Sequence, residues 1–189
     1  MKGKKILITA IVIFAIVLGV LMMLRAKNRN EVYPDKTITV TSSAFNDGES
    51  IPLRYTGYGE DVSPPLALAG VSAGAVTIAV VMDDLDFPMG TYNHWVLWNI
   101  PAGNAIPEAV AHGGTVQQLG GAVQGVGYGR NRYSGPKPPF GSHRYLFRVY
   151  VLDTLLDLPE TAGKKRAAGR DAGAYTGVRR ADGQIPLRR

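Results

Sequence analysis

The stretch GPKPPFGSHRYLFRVYVLD, residues 135–153, decides how the chain is read. Its first half is a proline- and glycine-rich loop, stiff because each proline ring fixes φ. Its second half alternates, with Tyr145, Phe147, Val149 and Val151 on one side. Aromatic and β-branched residues at a period of two mark a strand buried on at least one face. His143 stands at the junction, in phase with the apolar side. A loop that only reversed direction would gain nothing by bringing an imidazole to the end of a strand, so the junction predicts a site as well as a strand.

Outward from there, TITVTSS (37–43), IPLRYT (51–56), AVTIAVVMD (75–83), NHWVLWNIP (93–101) and HRYLFRVYVLD (143–153) read as strands separated by Gly, Pro, Asn and Asp. No long stretch of helical period lies between residues 31 and 155, which argues for an antiparallel sandwich over a βαβ architecture. One helix is expected near 159–169, started by Pro159 and stopped by Gly169.

The N-terminus has a different character. After the basic head MKGKK, residues 6–24 are apolar except for Thr9. At 1.5 Å per residue such a helix reaches about 28 Å, close to the roughly 30 Å hydrocarbon thickness of a bilayer. The expectation is therefore a retained transmembrane anchor with basic flanks over residues 1–30, followed by one domain over 31–189. Lys2, Lys4, Lys5 and the terminal amine, set against Arg25, Lys27 and Arg29, lean slightly toward a single-pass protein with the domain outside the cytoplasm. A cleaved signal peptide, giving a secreted form, is the rival.

The formal charge of +6 does not make the chain a nucleic-acid binder. Residues 1–30 hold six Lys or Arg and no acid, so the remaining 15 basic and 15 acidic residues of 31–189 cancel. Aromatic residues are not interleaved with the basic ones of the C-terminal segment, and nucleic acid is not an expected partner.

A second stretch, MDDLDFPMGTYNHWVLWNIP (82–101), carries more chemistry. Asp84 and Asp86 are two apart and share a side in extended chain, and Pro88 and Gly90 constrain the loop behind them. Asp83 reads as an ordinary acid at a wet strand end. His94 falls in phase with Val96, Trp98 and Ile100, as His143 does with Tyr145 and Phe147. Two imidazoles entering two apolar strands would, if they converge, border a small-ligand site.

Three chemistries fit such a site. A two-histidine, one-carboxylate metal set lacks local ligand spacing, because the histidines are 49 residues apart. A serine hydrolase lacks a GxSxG elbow, and Ser142 would point away from His143 along a strand. Anion recognition needs donors, a shaped cleft and no nucleophile, which is what His, Tyr and a glycine-rich turn offer.

The motifs DxDxP (84–88), HWxxxNIP (94–101) and GPxPPxGxHRYxF (135–147) closely resemble the phosphatidylethanolamine-binding protein family, in its bacterial and archaeal Raf-kinase-inhibitor-like branch. Residues 42–66, SSAFNDGESIPLRYTGYGEDVSPPL, resemble the N-terminal pattern of that branch. The resemblance implies an all-β, two-sheet antiparallel Greek-key-like sandwich with minor helices, here preceded by the N-terminal transmembrane helix. It also implies a pocket for phosphate-like groups, phospholipid headgroups included, lined by Asp84, Asp86, His94, Gly135, His143 and Tyr145. Arg144, out of phase, is expected to pair structurally.

The function expected is non-catalytic binding of a small anionic or phosphorylated ligand, with no catalytic residue, metal or cofactor assigned. Whether the chain is an enzyme stays open. The alternatives are a hydrolase or metalloenzyme using the His/Asp cluster and a protein-binding inhibitor or regulatory module. Membrane contact is expected through residues 6–24. Leu85, Phe87, Leu68, Val126 and Arg132 depart from the branch's usual residues, and Arg132 is expected to place a cation near the pocket's entrance.

Overall fold

The computed structural model describes residues 38–164 and the backbone of 180–184. Among the described residues nine strands run in chain order: β1 (Thr39–Thr41), β2 (Leu66–Ala69), β3 (Thr77–Asp84), β4 (Tyr92–Pro101), β5 (Ala105–Ile106), β6 (Thr115–Val116), β7 (Ala122–Gln124), β8 (Arg144–Leu152) and β9 (Arg180–Gln184). Short 3₁₀ turns occupy Leu53–Tyr55 and Gln117–Leu119. The strands form a three-stranded sheet in the order β1-β2-β5 and a six-stranded sheet in the order β6-β7-β4-β3-β8-β9. Every pairing between these strands is antiparallel.

The large sheet is apolar on both faces, which explains why β3 is buried along its whole length. Ile78, Val80 and Met82 of β3, Trp95 and Leu97 of β4 and Tyr145, Phe147, Val149 and Val151 of β8 pack against Val40, Leu66, Leu68 and Ile106 of the small sheet. This is the sandwich core. Ala79, Val81, Val96, Trp98, Tyr150 and Leu152 form a second cluster, closed by Leu156 and Ala162 of the segment after β8. Period-two alternation thus supplies two apolar layers from one sheet.

Two irregularities in β4 change the phase of its side chains. Its register against β3 slips between Met82 and Asp83 and again between Ile78 and Val80. Trp95 faces Met82 while Asn93 faces Asp83, so His94 is the extra residue of a bulge. Asn99, with φ 57°, marks the second slip. The simple alternation His94, Val96, Trp98, Ile100 is therefore broken: Val96 and Trp98 lie in the outer cluster and Ile100 in the sandwich core.

Several expectations are corrected here. IPLRYT is not a strand: Pro52, at φ −57°, begins a turn in which Tyr55 N–H donates to the Pro52 carbonyl at 2.9 Å. Leu53 is left 58% exposed, so the apparent alternation of Ile51, Leu53 and Tyr55 is not a buried face. Pro159 opens a turn, with Ala162 N–H on its carbonyl at 2.8 Å, so the helix expected from Pro159 begins only at Lys164; residues 165–169 of it lie outside the described residues.

The expected N-terminal transmembrane helix is also corrected. The fold supported is the two-sheet all-β body with minor helices, and among the described residues no helix is long and apolar enough to cross a membrane. Residues 6–24 and the boundary at residue 30 lie outside the described residues. The single-pass topology, the membrane contact through 6–24 and the extracytoplasmic placement have no structural support and are set aside. Their basis was length, hydropathy and the basic flanks, which identify a segment able to span without showing that it does.

Candidate functional site

Antiparallel pairing brings the C-terminal end of β3 beside the N-terminal ends of β4 and β8. Asp84 closes β3, with Tyr145 as its register partner on β8 and Tyr92 on β4. The bulge turns His94 toward this corner, where its ring lies 5.2 Å from that of Tyr145 in an edge-on contact. His143, at the end of the Pro-Gly loop, brings Nδ1 to 2.7 Å from Asp84 Oδ2. Asp84, His94, His143 and Tyr145 thus gather at one corner of the sandwich, and all but His143 are nearly solvent-free.

Each imidazole is held by the same nitrogen. The Asp84 carboxylate accepts from His143 Nδ1, and the Ser134 carbonyl accepts from His94 Nδ1 at 2.8 Å. Neither Nε2 makes a hydrogen bond among the described residues. Burial pushes the His94 pKa below its usual value, against the pull of the Ser134 carbonyl and of nearby Asp84. His94 is accordingly neutral near pH 7, with a lone pair at Nε2.

Tyr145 adds a hydroxyl. Burial, followed by the charge of Asp84, pushes its pKa far above the ordinary phenol range, so it remains a proton donor. Asp84 is close enough to act on the phenol both by charge and as an acceptor, yet the hydroxyl makes no hydrogen bond of normal geometry among the described residues.

The other two expected residues are engaged differently. Asp86 gives its N–H to Asp84 Oδ1 at 2.9 Å, while its carboxylate accepts from Arg144 Nε at 2.9 Å, Nη2 at 2.8 Å and the backbone N–H at 2.8 Å. It braces Asp84 and does not present a free carboxylate. The hydrogen bonds from Arg144 hold its pKa below the usual carboxylate value, and Arg144 takes the structural pairing expected of it. Gly135 sits where a Cβ would come within 2.6 Å of the Tyr55 carbonyl, and its N–H donates to Asp61 Oδ1 at 2.5 Å.

Tyr92, Tyr128, Asp61 and the Ser134 carbonyl were not read from the sequence. Tyr92 and Tyr128 edge the corner, with ring centroids 6.0 and 5.0 Å from that of His94 and 5.2 Å from each other. Tyr128 holds a left-handed φ of 52°, uncommon for so bulky a residue. Phe87, which stands where the resemblance expects alanine, packs on Tyr92 at 4.7 Å. The only sequence signal for the tyrosines is proximity: Tyr92 precedes His94 by two, and Tyr128 sits in a Gly-Tyr-Gly turn. Asp61 and the Ser134 carbonyl act through long-range contacts that no local motif announces.

Two further expectations change. Arg132 does not supply a free cation: its Nη2 is 2.7 Å from Asp61 Oδ2. Asp83 is not a wet strand-end acid: it is fully buried on the outer face, paired with Arg148 and with Lys164 Nζ at 2.7 Å and accepting from Asn93 Nδ2 at 3.1 Å. Among the described residues no group of three or more His, Cys, Asp or Glu is arranged to hold a metal ion.

The phosphatidylethanolamine-binding protein family model matches residues 41–176. The chain belongs to that family. A UPF0098 protein of Pyrococcus abyssi is 46% identical over 120 residues, which are 62% of this chain and 67% of that protein. A UPF0098 protein of Methanothermobacter thermautotrophicus is 44% identical over 130 residues, 68% of this chain and 85% of that one. The crystal structure of the phosphatidylethanolamine-binding protein homologue CT736 of Chlamydia trachomatis superposes with a TM-score of 0.72 at 27% identity, covering 82% of this chain and all of that one. The structure of YbcL of E. coli, described as a member of the mammalian family, gives 0.68 at 26% identity over 80% and 99% of the two chains. At family level, then, the chain is a small-ligand-binding protein of the phosphatidylethanolamine-binding kind.

Proposed function

We propose that the corner formed by Asp84, His94, His143 and Tyr145 binds a small anionic or phosphorylated ligand, a phospholipid headgroup among them, without transforming it. The observation that carries this reading is the pair of Nδ1-anchored imidazoles beside a buried tyrosine hydroxyl that makes no hydrogen bond of normal geometry among the described residues. A ligand oxygen that takes the Tyr145 hydrogen bond removes the cost of a buried donor left unmade. Asp84 makes the corner selective, because a dianion meets its charge unless a proton or an ammonium group accompanies it. His94 imposes the same condition from Nε2: an anion gains a donor there when the ring is protonated, or meets the lone pair with its own O–H, as a monobasic phosphate ester does.

Gly135 and Asp86 belong to the frame of this site in our reading, since one admits the close approach of the Pro-Gly loop to residues 55–57 and the other braces Asp84. The DxDxP, HWxxxNIP and GPxPPxGxHRYxF motifs support placement in the Raf-kinase-inhibitor-like branch.

Isothermal titration calorimetry of the full chain with inorganic phosphate and with phosphoethanolamine tests the reading. Saturable binding of both is expected, with proton uptake visible as a dependence of the heat on buffer ionisation enthalpy. Absence of saturable binding of either compound between pH 5 and 8, or binding unchanged by removal of the Tyr145 hydroxyl in Tyr145→Phe, would overturn it.

A further inference from the structure

The His94 ring is oriented by a backbone carbonyl, so something must hold that carbonyl. Ser134 lies between two residues tied to one side chain: Arg132 Nη2 reaches Asp61 Oδ2 at 2.7 Å, and Gly135 N–H reaches Asp61 Oδ1 at 2.5 Å. Asp61 therefore grips the loop on both sides of the peptide that accepts from His94. It stands on another part of the fold, between the 3₁₀ turn at 53–55 and β2, and takes a left-handed φ of 58°. That backbone strain is tolerated best by Gly, Asn and Asp. The pair is also partly shielded, with side-chain exposures of 24% for Arg132 and 23% for Asp61, so water competes less for it than on an open surface. The rest of the loop is fixed independently, by Tyr133 Oη on the Tyr55 carbonyl at 2.6 Å and by Gly57 N–H on the Pro136 carbonyl at 3.0 Å. Asp61 is thus not needed to keep the loop on the domain, only to set the Ser134 peptide.

The consequence for His94 is a choice of tautomer. A neutral imidazole carries its proton on one nitrogen, and the acceptor facing one nitrogen decides which. With the Ser134 carbonyl on Nδ1, the proton stays there and Nε2 is the nitrogen without a hydrogen bond among the described residues. We propose that Asp61 is a positioning residue for the ligand corner: by clamping Arg132 and Gly135 it holds the Ser134 carbonyl that keeps His94 in the Nδ1–H tautomer. This rests on the binding reading above for its functional consequence, but the tautomer itself is a property of the ligand-free chain.

The test separates the two. The chain has three histidines, so ¹⁵N-histidine spectra of the full chain are simple, and His94→Gln assigns the His94 signals. Asp61→Gly removes the carboxylate without adding strain at positive φ, and Asp61→Asn keeps an acceptor for Gly135 N–H. In the parent chain the neutral His94 ring should be wholly Nδ1–H. Asp61→Gly should give a mixture containing Nε2–H and weaken inorganic phosphate binding about tenfold, the scale of one misoriented hydrogen bond. Asp61→Asn should restore the tautomer and most of the affinity. A folded Asp61→Gly chain whose His94 remains wholly Nδ1–H overturns the proposal, whatever its thermal stability. If that variant does not fold, Arg132→Gln, which breaks one arm of the clamp, must raise the Nε2–H fraction, and an unchanged spectrum overturns the proposal equally. A shifted tautomer in a chain whose parent binds no phosphate would uphold the positioning role and reject the binding reading.

Discussion

Asp83 and Asp84 are consecutive residues of β3 that serve opposite faces of one sheet. Asp84 takes the His143 imidazole on the sandwich side, whereas Asp83 takes Arg148 and Lys164 on the outer side. Period-two geometry separates two carboxylates joined by one peptide bond into two unrelated jobs.

The outer job is structural. Asp83 is fully buried and the Arg148 side chain is only 5% exposed, so Asp83→Ala breaks an ion pair that has little access to water. The expected loss is about 3–5 kcal/mol, and Asp83→Leu combined with Arg148→Met should recover most of it. Urea unfolding of the full chain measures both. Phosphate affinity should change little in any variant that remains folded, because the outer face does not build the corner.

The inner job is tested by adjacent residues. His143→Ala is expected to weaken phosphate binding by about 1–3 kcal/mol, the worth of a hydrogen bond to a charged ligand. Arg144→Ala should cost much less affinity, since its guanidinium is committed to Asp86 and its side chain is half exposed. Calorimetry of the two variants side by side decides the matter, and equal losses would detach His143 from the site.

The shifts of Asp86 and His94 have the same sign in their effect on stability. Asp86 has its folded pKa depressed, mainly by the Arg144 hydrogen bonds, so its contribution is present above the ordinary value of 3.8 and is lost as pH falls through the lower folded value. His94 is buried neutral with a folded pKa below 6.5; in the interval between the two values the unfolded chain binds more protons, so stability rises with pH and levels off above 6.5. Chemical unfolding across pH 3–7 should show both limbs. Arg144→Ala should flatten the lower one and His94→Gln the upper.

Gly135→Ala tests the close approach of the Pro-Gly loop. The added Cβ would lie 2.6 Å from the Tyr55 carbonyl and 2.8 Å from Gly57 N, both backbone atoms that cannot swing aside. Overpacking of this kind costs about 1–3 kcal/mol. A fall in thermal midpoint with a simultaneous loss of phosphate affinity is expected, because the same shift pulls Gly135 from Asp61.

Much of this was legible in the sequence. The β-branched and aromatic runs at 75–83, 93–101 and 143–153 marked β3, β4 and β8, since such runs have one economical way to bury themselves. The same runs carried Asp84, His94, His143 and Tyr145 near their ends, so the candidate corner could be named before its geometry was known. β2, β5, β6 and β7 were missed, because strands of two to four residues are too short to show a period. IPLRYT showed one by accident, and its proline decided otherwise.

The side each residue faces was another matter. Strict counting put His94 in line with Val96, Trp98 and Ile100, and only the β4 bulges, set by pairing with β3, turned His94 toward Tyr145 and divided the others between two cores. Counting likewise could not show that Asp83 is buried with Arg148, that Asp86 is occupied by Arg144, or that Asp61 reaches Gly135 across 74 residues. The sequence by itself determined which segments extend and which chemical groups stand at their ends, because propensity and periodicity are local. The tertiary structure alone decided which of those groups meet, because register, bulges and long-range ion pairs depend on strands distant in the chain.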